Sequence, residues 1–387
     1  MIISFFSNYL THHQIPFCQQ MCKQPGVKFY FVSTMPMEQE RVSGGWALFE
    51  EHGYELKAYL SEENRQRAMK LAAESDVMII GSAPEEYVSH RMRHHSNPLT
   101  LRYSERIYKG GRWRVLSPRG ALLRYRTYFR YLRKPLYMLC ASGYTAGDLA
   151  MLGSYLGQCY KWGYFPETKV YDQPELLMQQ KSPNTILWAA RMIKLKHPEA
   201  PVEIARRLKA DGYDFRMNLI GSGELETAIA EMIKRYNLED CVHLLGTMKP
   251  EQVRRQMEEH AVFLFTSDSK EGWGAVLNEA MNSGCAVVAN DRIGSVPFLI
   301  KHGENGLTYE NGNVDALYDH VKYLLDHPAE CEKLGNGAYR TITQVWSAET
   351  AAERIVQTCQ KLLAGEKSFY KDGPCSKAPI CIKKRSN

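Results

Sequence analysis

Short apolar runs alternate with segments of helical period along most of this chain. In the first half, IISFFS, KFYFVST, DVMIIGS and LYMLCAS have strand length and no polar alternation, the pattern of strands buried on both faces. Between them, ENRQRAMKLAAE and TAGDLAMLG carry helical spacing. In the second half, TILWAA, RMNLIG, CVHLLG, VFLFTS, CAVVAN and GLTY predict strands. ELETAIAEMIKRYN, PEQVRRQMEEH and VDALYDHVKYLLDH predict the helices between them. Repeated β–α alternation of this kind predicts an α/β fold of doubly wound parallel sheets.

Ten or more strands exceed one such sheet, so the chain is expected to divide. The stretch GYFPETKVYDQPELLMQQKSPN, Gly163 to Asn184, holds three prolines and no strand-like run, which suits a linker. The expected domains are residues 1–168 and 182–346, two Rossmann-like halves facing across a cleft. SAETAAERIVQTCQKLLAG opens on a good N-cap, Ser347, and predicts one long amphipathic helix over 347–364. That helix is expected to pack back on the first domain, and residues 365–387 to form a flexible basic tail.

Composition changes this picture little. Of 387 residues, 44% are apolar and 24% charged, an ordinary globular balance. No apolar run approaches the ~18–20 residues of a membrane span. MIISFFSNYL lacks a basic n-region and a small-residue cleavage site, and so reads as a core strand. A cytoplasmic location with reduced cysteines is the expectation. Cys375 and Cys381 lie in the polar, basic tail, where a frayed terminus is the simpler reading than a metal site.

Candidate chemistry collects in three loops that follow predicted strands. In LIGSGELETA, Gly221, Ser222 and Gly223 stand between a strand and a helix, where free N–H groups can meet an anion. Glu226 occupies the position of the third glycine of a dinucleotide fingerprint, which disfavours a nicotinamide enzyme. Arg191 and Lys196 follow TILWAA, and two cations at that rim suit a diphosphate; taken in isolation, the pair is equally a solvated basic loop. EGWGAVLNEAMNSG places Glu271 in the loop after VFLFTS and Glu279 in the helix that follows. Val276, Leu277, Ala280 and Met281 form the expected buried stripe of that helix, with Glu279 off it. Glu279 is then either a solvated helix glutamate or a carboxylate for paired hydroxyls such as those of a ribose.

These pieces, in order and spacing, resemble the nucleotide-sugar domain of the retaining GT-B glycosyltransferases of family 4. The resemblance runs from Thr185 to Tyr309, about a third of the chain: RMIKLK, GSGEL, VHLLGTM, EGWGAVLNEAMNSGCAVVA and NGLTY. The amino half looks like bacterial cell-surface glycan glycosyltransferases through SNYLTHHQIP, RYSER and YKWGYFPE. The resemblance implies a GT-B fold and a metal-independent, hexosyltransferase-type enzyme of polysaccharide biosynthesis. It would need no cofactor, only a nucleotide-sugar donor of the UDP or GDP kind, with a glycan or polyprenyl-diphosphate-linked acceptor. On that reading Arg191 and Lys196 hold the donor diphosphate. Gly221 and Ser222 pass close to the nucleotide, and Thr247 and Met248 flank the base. Glu271 binds sugar hydroxyls, the backbone of Gly272, Trp273, Gly274, Ala275 and Val276 meets sugar and phosphate, and Glu279 binds the ribose. His12 and His13 are candidates to touch the transferred sugar or the acceptor, against a purely structural role. Two departures stand out: NYLTHH where the family often has glycines, and Phe298 where it usually has a glutamate.

Charge adds one feature. The net charge is +6, but Arg102 to Lys134 alone carries eleven cations and one acid. RGALLRYRTYFRYLRK predicts a helix with Arg119, Arg126, Arg130 and Arg133 on one stripe and Leu122, Tyr125, Phe129 and Leu132 beside it. This is the pattern of a helix lying on an anionic membrane surface, where a lipid-linked acceptor would be received. A solvated basic helix and a nucleic-acid contact are the alternatives. For the whole chain, a nucleotide-sugar epimerase or hydrolase and an idle nucleotide-sugar-binding subunit remain the rivals of a glycosyltransferase.

Overall fold

The computed structural model of this chain describes residues 1–37, 51–109 and 120–381. They form two compact units, Met1–Glu167 with Ser347–Asn387, and Thr168–Trp346.

The first unit is built on seven strands: β1 (Ile2–Ser7), β2 (Lys28–Ser33), β3 (Glu55–Lys57), β4 (Val77–Ile80), β5 (Thr100–Ser104), β6 (Leu136–Cys140) and β7 (Cys159–Lys161). All pair in parallel, in the order β3-β2-β1-β4-β5-β6-β7. The apolar pattern foretold β1, β2, β4 and β6. It passed over β5, because TLRYS buries two polar residues. Arg102 meets the two Glu85 oxygens at 3.1 and 2.6 Å. Thr100 Oγ1 accepts from the fully buried Arg91 at 3.1 Å. Arg91 also donates to the carbonyls of Ala72, Ser75, Asp76 and Leu99, so its charge is held by backbone dipoles. β3 and β7 are three residues each, too short for a period to show.

The expectation of a flexible tail over 365–387 is corrected as far as residue 381. β7 alone would leave an open sheet edge. The chain at Cys375–Ala378 covers it: Cys375 N donates to Lys161 O at 2.9 Å, Lys161 N to Ser376 O at 2.7 Å, and Ala378 N to Cys159 O at 3.0 Å. Cys375 is fully buried there. The helix Ala348–Leu363, capped by the Ser347 hydroxyl on Thr350 N at 3.1 Å, packs against the helix Ile15–Cys22 of the same unit.

The second unit has six parallel strands: β8 (Ser182–Ala189), β9 (Arg216–Ile220), β10 (Val242–Leu244), β11 (His260–Phe265), β12 (Ala286–Asn290) and β13 (Leu307–Tyr309). Their order is β10-β9-β8-β11-β12-β13. Each sheet thus reverses its strand order once, between β1 and β4 and between β8 and β11. Such a point opens a crevice beyond the carboxyl ends of the strands.

Most of the stretch read as a linker belongs to the second unit. It contains the helix Pro174–Gln179, whose Met178 is buried under Gly284. Gly284 has φ +71°, and a Cβ there would stand 1.9 Å from Met178 Cε. On its other side, a Cβ on Gly335 would stand 2.3 Å from the Gly284 carbonyl oxygen. Two glycines therefore let the helix Pro328–Arg340 touch the chain at the end of the helix Val276–Asn282. Alanine at 335 gains about 1 kcal/mol in helix propensity. It must also push a backbone carbonyl aside, a cost of roughly 1–3 kcal/mol for overpacking. Gly335→Ala is therefore expected to lose stability, by about 1 kcal/mol net; a urea-unfolding midpoint at or above that of the parent chain would contradict this packing.

Candidate active site

The site assembles from the loops beyond β8, β9, β10 and β11. Backbone hydrogen bonds stitch the first three together. Ala190 N donates to Ile220 O at 3.1 Å, Met192 N to Ser222 O at 2.8 Å, Leu225 N to Met192 O at 2.9 Å, and Gly221 N to Gly246 O at 2.8 Å. The packing is close enough to demand glycine. A Cβ on Gly221 would stand 1.9 Å from Ala190 O, and one on Gly223 would stand 2.5 Å from Met192 O. These glycines are required by the neighbouring loop of the protein itself. The Ser222 and Thr247 hydroxyls lie 2.9 Å apart, both residues exposed, with Met248 beside them half-buried.

The loops beyond β8 and β11 are joined by the hydroxyl of Thr266, which accepts from the Trp188 indole at 2.8 Å and donates to Lys196 O at 2.7 Å. Asp268 N donates to Leu195 O at 3.0 Å. His197, at φ +51°, sets its Nδ1 2.7 Å from Glu199 and its Nε2 3.8 Å from Asp268. The hydrogen bond to Glu199 raises the imidazole pKa, with both carboxylates adding to the effect against partial burial. This staple brings Lys196 to Glu271, and the two form an ion pair at 13% exposure each. Arg191 is exposed at the rim, with no carboxylate in ion-pair range among the described residues. Arg191, Lys196 and Glu271 therefore stand on two adjoining loops at the strand-order reversal.

The stretch EGWGAVLNEAMNSG divides as its pattern suggests, with one correction. Residues 271–275 are loop and Val276–Asn282 is helix. Leu277, Ala280 and Met281 are buried, but Val276 is only half-buried. Asn278 and Asn282 take the buried places instead. Each is satisfied: Asn278 Oδ1 accepts from the Trp273 indole at 2.8 Å, and Asn282 Oδ1 from Lys169 N and from Arg254, both at 2.8 Å. A polar side chain with a fixed partner inverts what hydrophobic spacing implies. Glu279 is half-buried, and burial raises its pKa against the pull of Arg254. Gly274 has φ +80°, and a Cβ there would meet Phe265 Cζ at 2.3 Å. Gly272 is buried, and Ala275 is half-buried at the helix start.

Trp273 offers a ligand only its backbone. Its indole is 1% exposed and clusters with Phe298 and Trp346 at centroid distances of 6.3 and 6.0 Å. Phe298 and Trp346 stack at 6.1 Å and 14°. Phe298, the departure from the family pattern, is thus a core residue that anchors the Glu271 loop from below. Sequence reasoning missed Trp346, His197 and Asp268, since no motif marks residues whose role is to hold other loops. Arg254 was equally unmarked.

The remaining candidates lie in the first unit. His12 and His13 follow β1, at that sheet's own reversal point, with rings 3.7 Å apart. His13 also stacks at 6.1 Å on Tyr164, whose hydroxyl donates to Glu105 at 2.6 Å. Burial, aided by His12, takes the His13 pKa down to about 3, so this imidazole is neutral at neutral pH. Arg126, Arg130 and Arg133 are exposed, while Arg119 lies outside the described residues. The expected single α-helix is corrected. Ala121–Arg124 is one α-turn and Tyr125–Phe129 a π-turn. A π-turn holds more residues than an α-turn, so the predicted stripe of Leu122, Tyr125, Phe129 and Leu132 breaks up. Leu122 and Tyr125 point to solvent, while Phe129 and Leu132 are half-buried.

The loops beyond β8, β9, β10 and β11 lie inside a stretch of the chain that matches known proteins. Residues 173–341 match the family described as Glycosyl transferases group 1. The amylovoran biosynthesis glycosyltransferase AmsK of Erwinia amylovora is 35% identical over 140 residues, 35% of this chain and 34% of that protein. The poly(ribitol-phosphate) alpha-N-acetylglucosaminyltransferase of Staphylococcus aureus is 28% identical over 187 residues, 48% of this chain and 36% of that protein. These matches span about a third of the relatives' length. The structure of Anabaena Alr3699/HepE in complex with UDP superposes with a TM-score of 0.66 at 14% identity, over 93% of this chain and all of that one. The fold is therefore GT-B, and the chain carries a glycosyl transferases group 1 domain.

Two outcomes are expected. Phe298→Glu, which puts a carboxylate between two tryptophans, should lower stability by roughly 3 kcal/mol or more, with no gain in donor affinity; a variant as stable as the parent in thermal unfolding would refute the aromatic anchor. His197 has its folded pKa raised, so its contribution is complete below the unfolded value of 6.5 and is lost as pH rises through the folded value. Unfolding measured from pH 6 to 8 should show a loss on the alkaline side that His197→Asn abolishes.

Proposed function

With a glycosyl transferases group 1 domain as the premise, we propose that this chain moves a sugar from a nucleotide diphosphate to a hydroxyl of a glycan or lipid-linked glycan, with retention at the anomeric carbon. The observation that carries the reading is the Lys196–Glu271 ion pair at the β8/β11 reversal, with Arg191 exposed on the same loop as Lys196, all inside the matched residues. The donor is a UDP- or GDP-sugar; UDP is what the superposed Anabaena protein holds.

The chemistry follows from charge. As the anomeric C–O bond breaks, negative charge grows on the leaving diphosphate. The exposed Arg191 and the largely buried Lys196, on one loop, neutralise that charge, so a metal is not needed. The acceptor hydroxyl attacks from the face the diphosphate leaves, forming the new C–O bond as the old one breaks, and its proton passes to the departing diphosphate oxygen. Before the donor enters, Lys196 and Glu271 satisfy each other. Donor binding exchanges that pair: phosphate takes the lysine, and sugar hydroxyls take the carboxylate. Glu271 then orients the sugar without attacking it. Glu279, kept half-buried on its helix, accepts the two ribose hydroxyls, and the 274–276 backbone offers N–H groups to phosphate.

Arg191→Ala and Lys196→Ala are each expected to lower transfer about a hundredfold or more, the scale of losing one electrostatic donor. Near-normal turnover in both would sink the proposal. Incubation with a panel of nucleotide sugars, with and without envelope glycolipid, separates the rivals. Sugar-nucleotide turnover without acceptor indicates an epimerase or hydrolase. Binding without any turnover indicates an idle subunit.

A further inference from the structure

The basic run of the first unit has two sides. One is fastened to the body: the Tyr131 hydroxyl reaches Ser89 Oγ at 3.4 Å, and Tyr128 is half-buried near Arg102, burial raising its phenol pKa. The other side carries exposed apolar and basic side chains; Arg130 lies over the Tyr131 ring at 5.0 Å. Leu122, Leu123 and Tyr125 are 60%, 69% and 57% exposed, three large apolar side chains within four positions. Arg126, Arg130, Arg133 and Lys134 are exposed next to them. None of these four has a carboxylate in ion-pair range among the described residues, and no acid occurs from Gly120 to Lys134.

We infer that this turn docks the protein on an anionic phospholipid bilayer, with Leu122, Leu123 and Tyr125 in the headgroup boundary and the cations against lipid phosphates. Clustered cations without carboxylates make a local positive field, and lipid phosphates complement it. Exposed leucines beside them need an apolar phase, which a bilayer has and a nucleic-acid backbone lacks. The π-turn makes the apolar group a tip in place of a stripe. The contact is therefore a shallow anchor at one point, backed by a charged skirt. Among the described residues no helix is long and apolar enough to cross a membrane, so the contact lies at the interface. Binding is read without turnover, so it stands or falls apart from the proposed transfer reaction.

The test is sedimentation of the full chain with vesicles of phosphatidylcholine alone, or mixed with phosphatidylglycerol, at low and high salt. Binding to the anionic vesicles should exceed that to neutral ones at least tenfold at low salt. Leu122→Ser with Leu123→Ser, and Arg126→Glu with Arg130→Glu, should each weaken it on the order of tenfold. Circular dichroism and thermal unfolding should match the parent chain, since all four positions are exposed. Equal binding to both vesicle types overturns the inference. So does binding that the serine pair leaves untouched, which would mean charge alone acts. Retention on a single-stranded oligonucleotide without vesicle binding would replace lipid with nucleic acid as the partner.

Discussion

Two parallel strands that end side by side, β8 and β11, carry the charged centre of the candidate site, Arg191, Lys196 and Glu271. The strand order reverses between them, so the loops at their carboxyl ends diverge and leave a crevice. The Thr266 hydroxyl spans the gap, accepting a hydrogen bond from the Trp188 indole and donating one to the Lys196 carbonyl. Both groups are inside the fold, where an unmade hydrogen bond is expensive. That constraint fixes the backbone from which Lys196 reaches Glu271. Remove the parallel pairing and the two residues have no reason to meet, since they lie 75 positions apart in the chain.

Around this junction the protein uses glycine and tryptophan for opposite ends. Gly221, Gly223 and Gly274 let loops lie on one another at distances no side chain permits. Trp273, Phe298 and Trp346 fill the volume beneath the Glu271 loop. Close-packed aromatic rings do not yield to small displacements. The loop that carries Glu271 thus rests on a rigid aromatic base. The aromatic at Phe298, where the family usually has a glutamate, therefore trades a polar contact for mechanical support.

Charge is distributed by the same logic. Cations inside the fold are tied down: Arg91 by four carbonyls, Lys196 by Glu271, and Lys181 by the carbonyls of Met257, Glu258 and His260. Cations at Arg126, Arg130, Arg133 and Lys134 are left in water beside exposed leucines. Burial without partners would cost several kcal/mol per ion, so the cations that serve the fold are those with partners inside it.

Much of this was legible in the chain itself. Buried parallel strands are continuous apolar runs, so β1, β2, β4, β6 and all six strands of the second unit announced themselves, and their alternation with helices gave the α/β class. Spacing also separated Glu271 in its loop from Glu279 on its helix. Where the pattern failed, long-range contacts had replaced hydrophobicity as the reason for burial. β5 hides Arg102 and Thr100 because Glu85 and Arg91 wait for them. Asn278 and Asn282 displace Val276 from the buried face because Trp273 and Lys169 supply partners. The terminal segment through residue 381 is ordered by the open edge of β7, over 200 positions earlier. Local sequence determined which segments are strands and helices and which residue types stand at their ends, because periodicity is a property of neighbours. Only tertiary structure decided which of those ends meet, because partners that satisfy a buried polar group, or fill the space beneath a loop, arrive from distant parts of the chain.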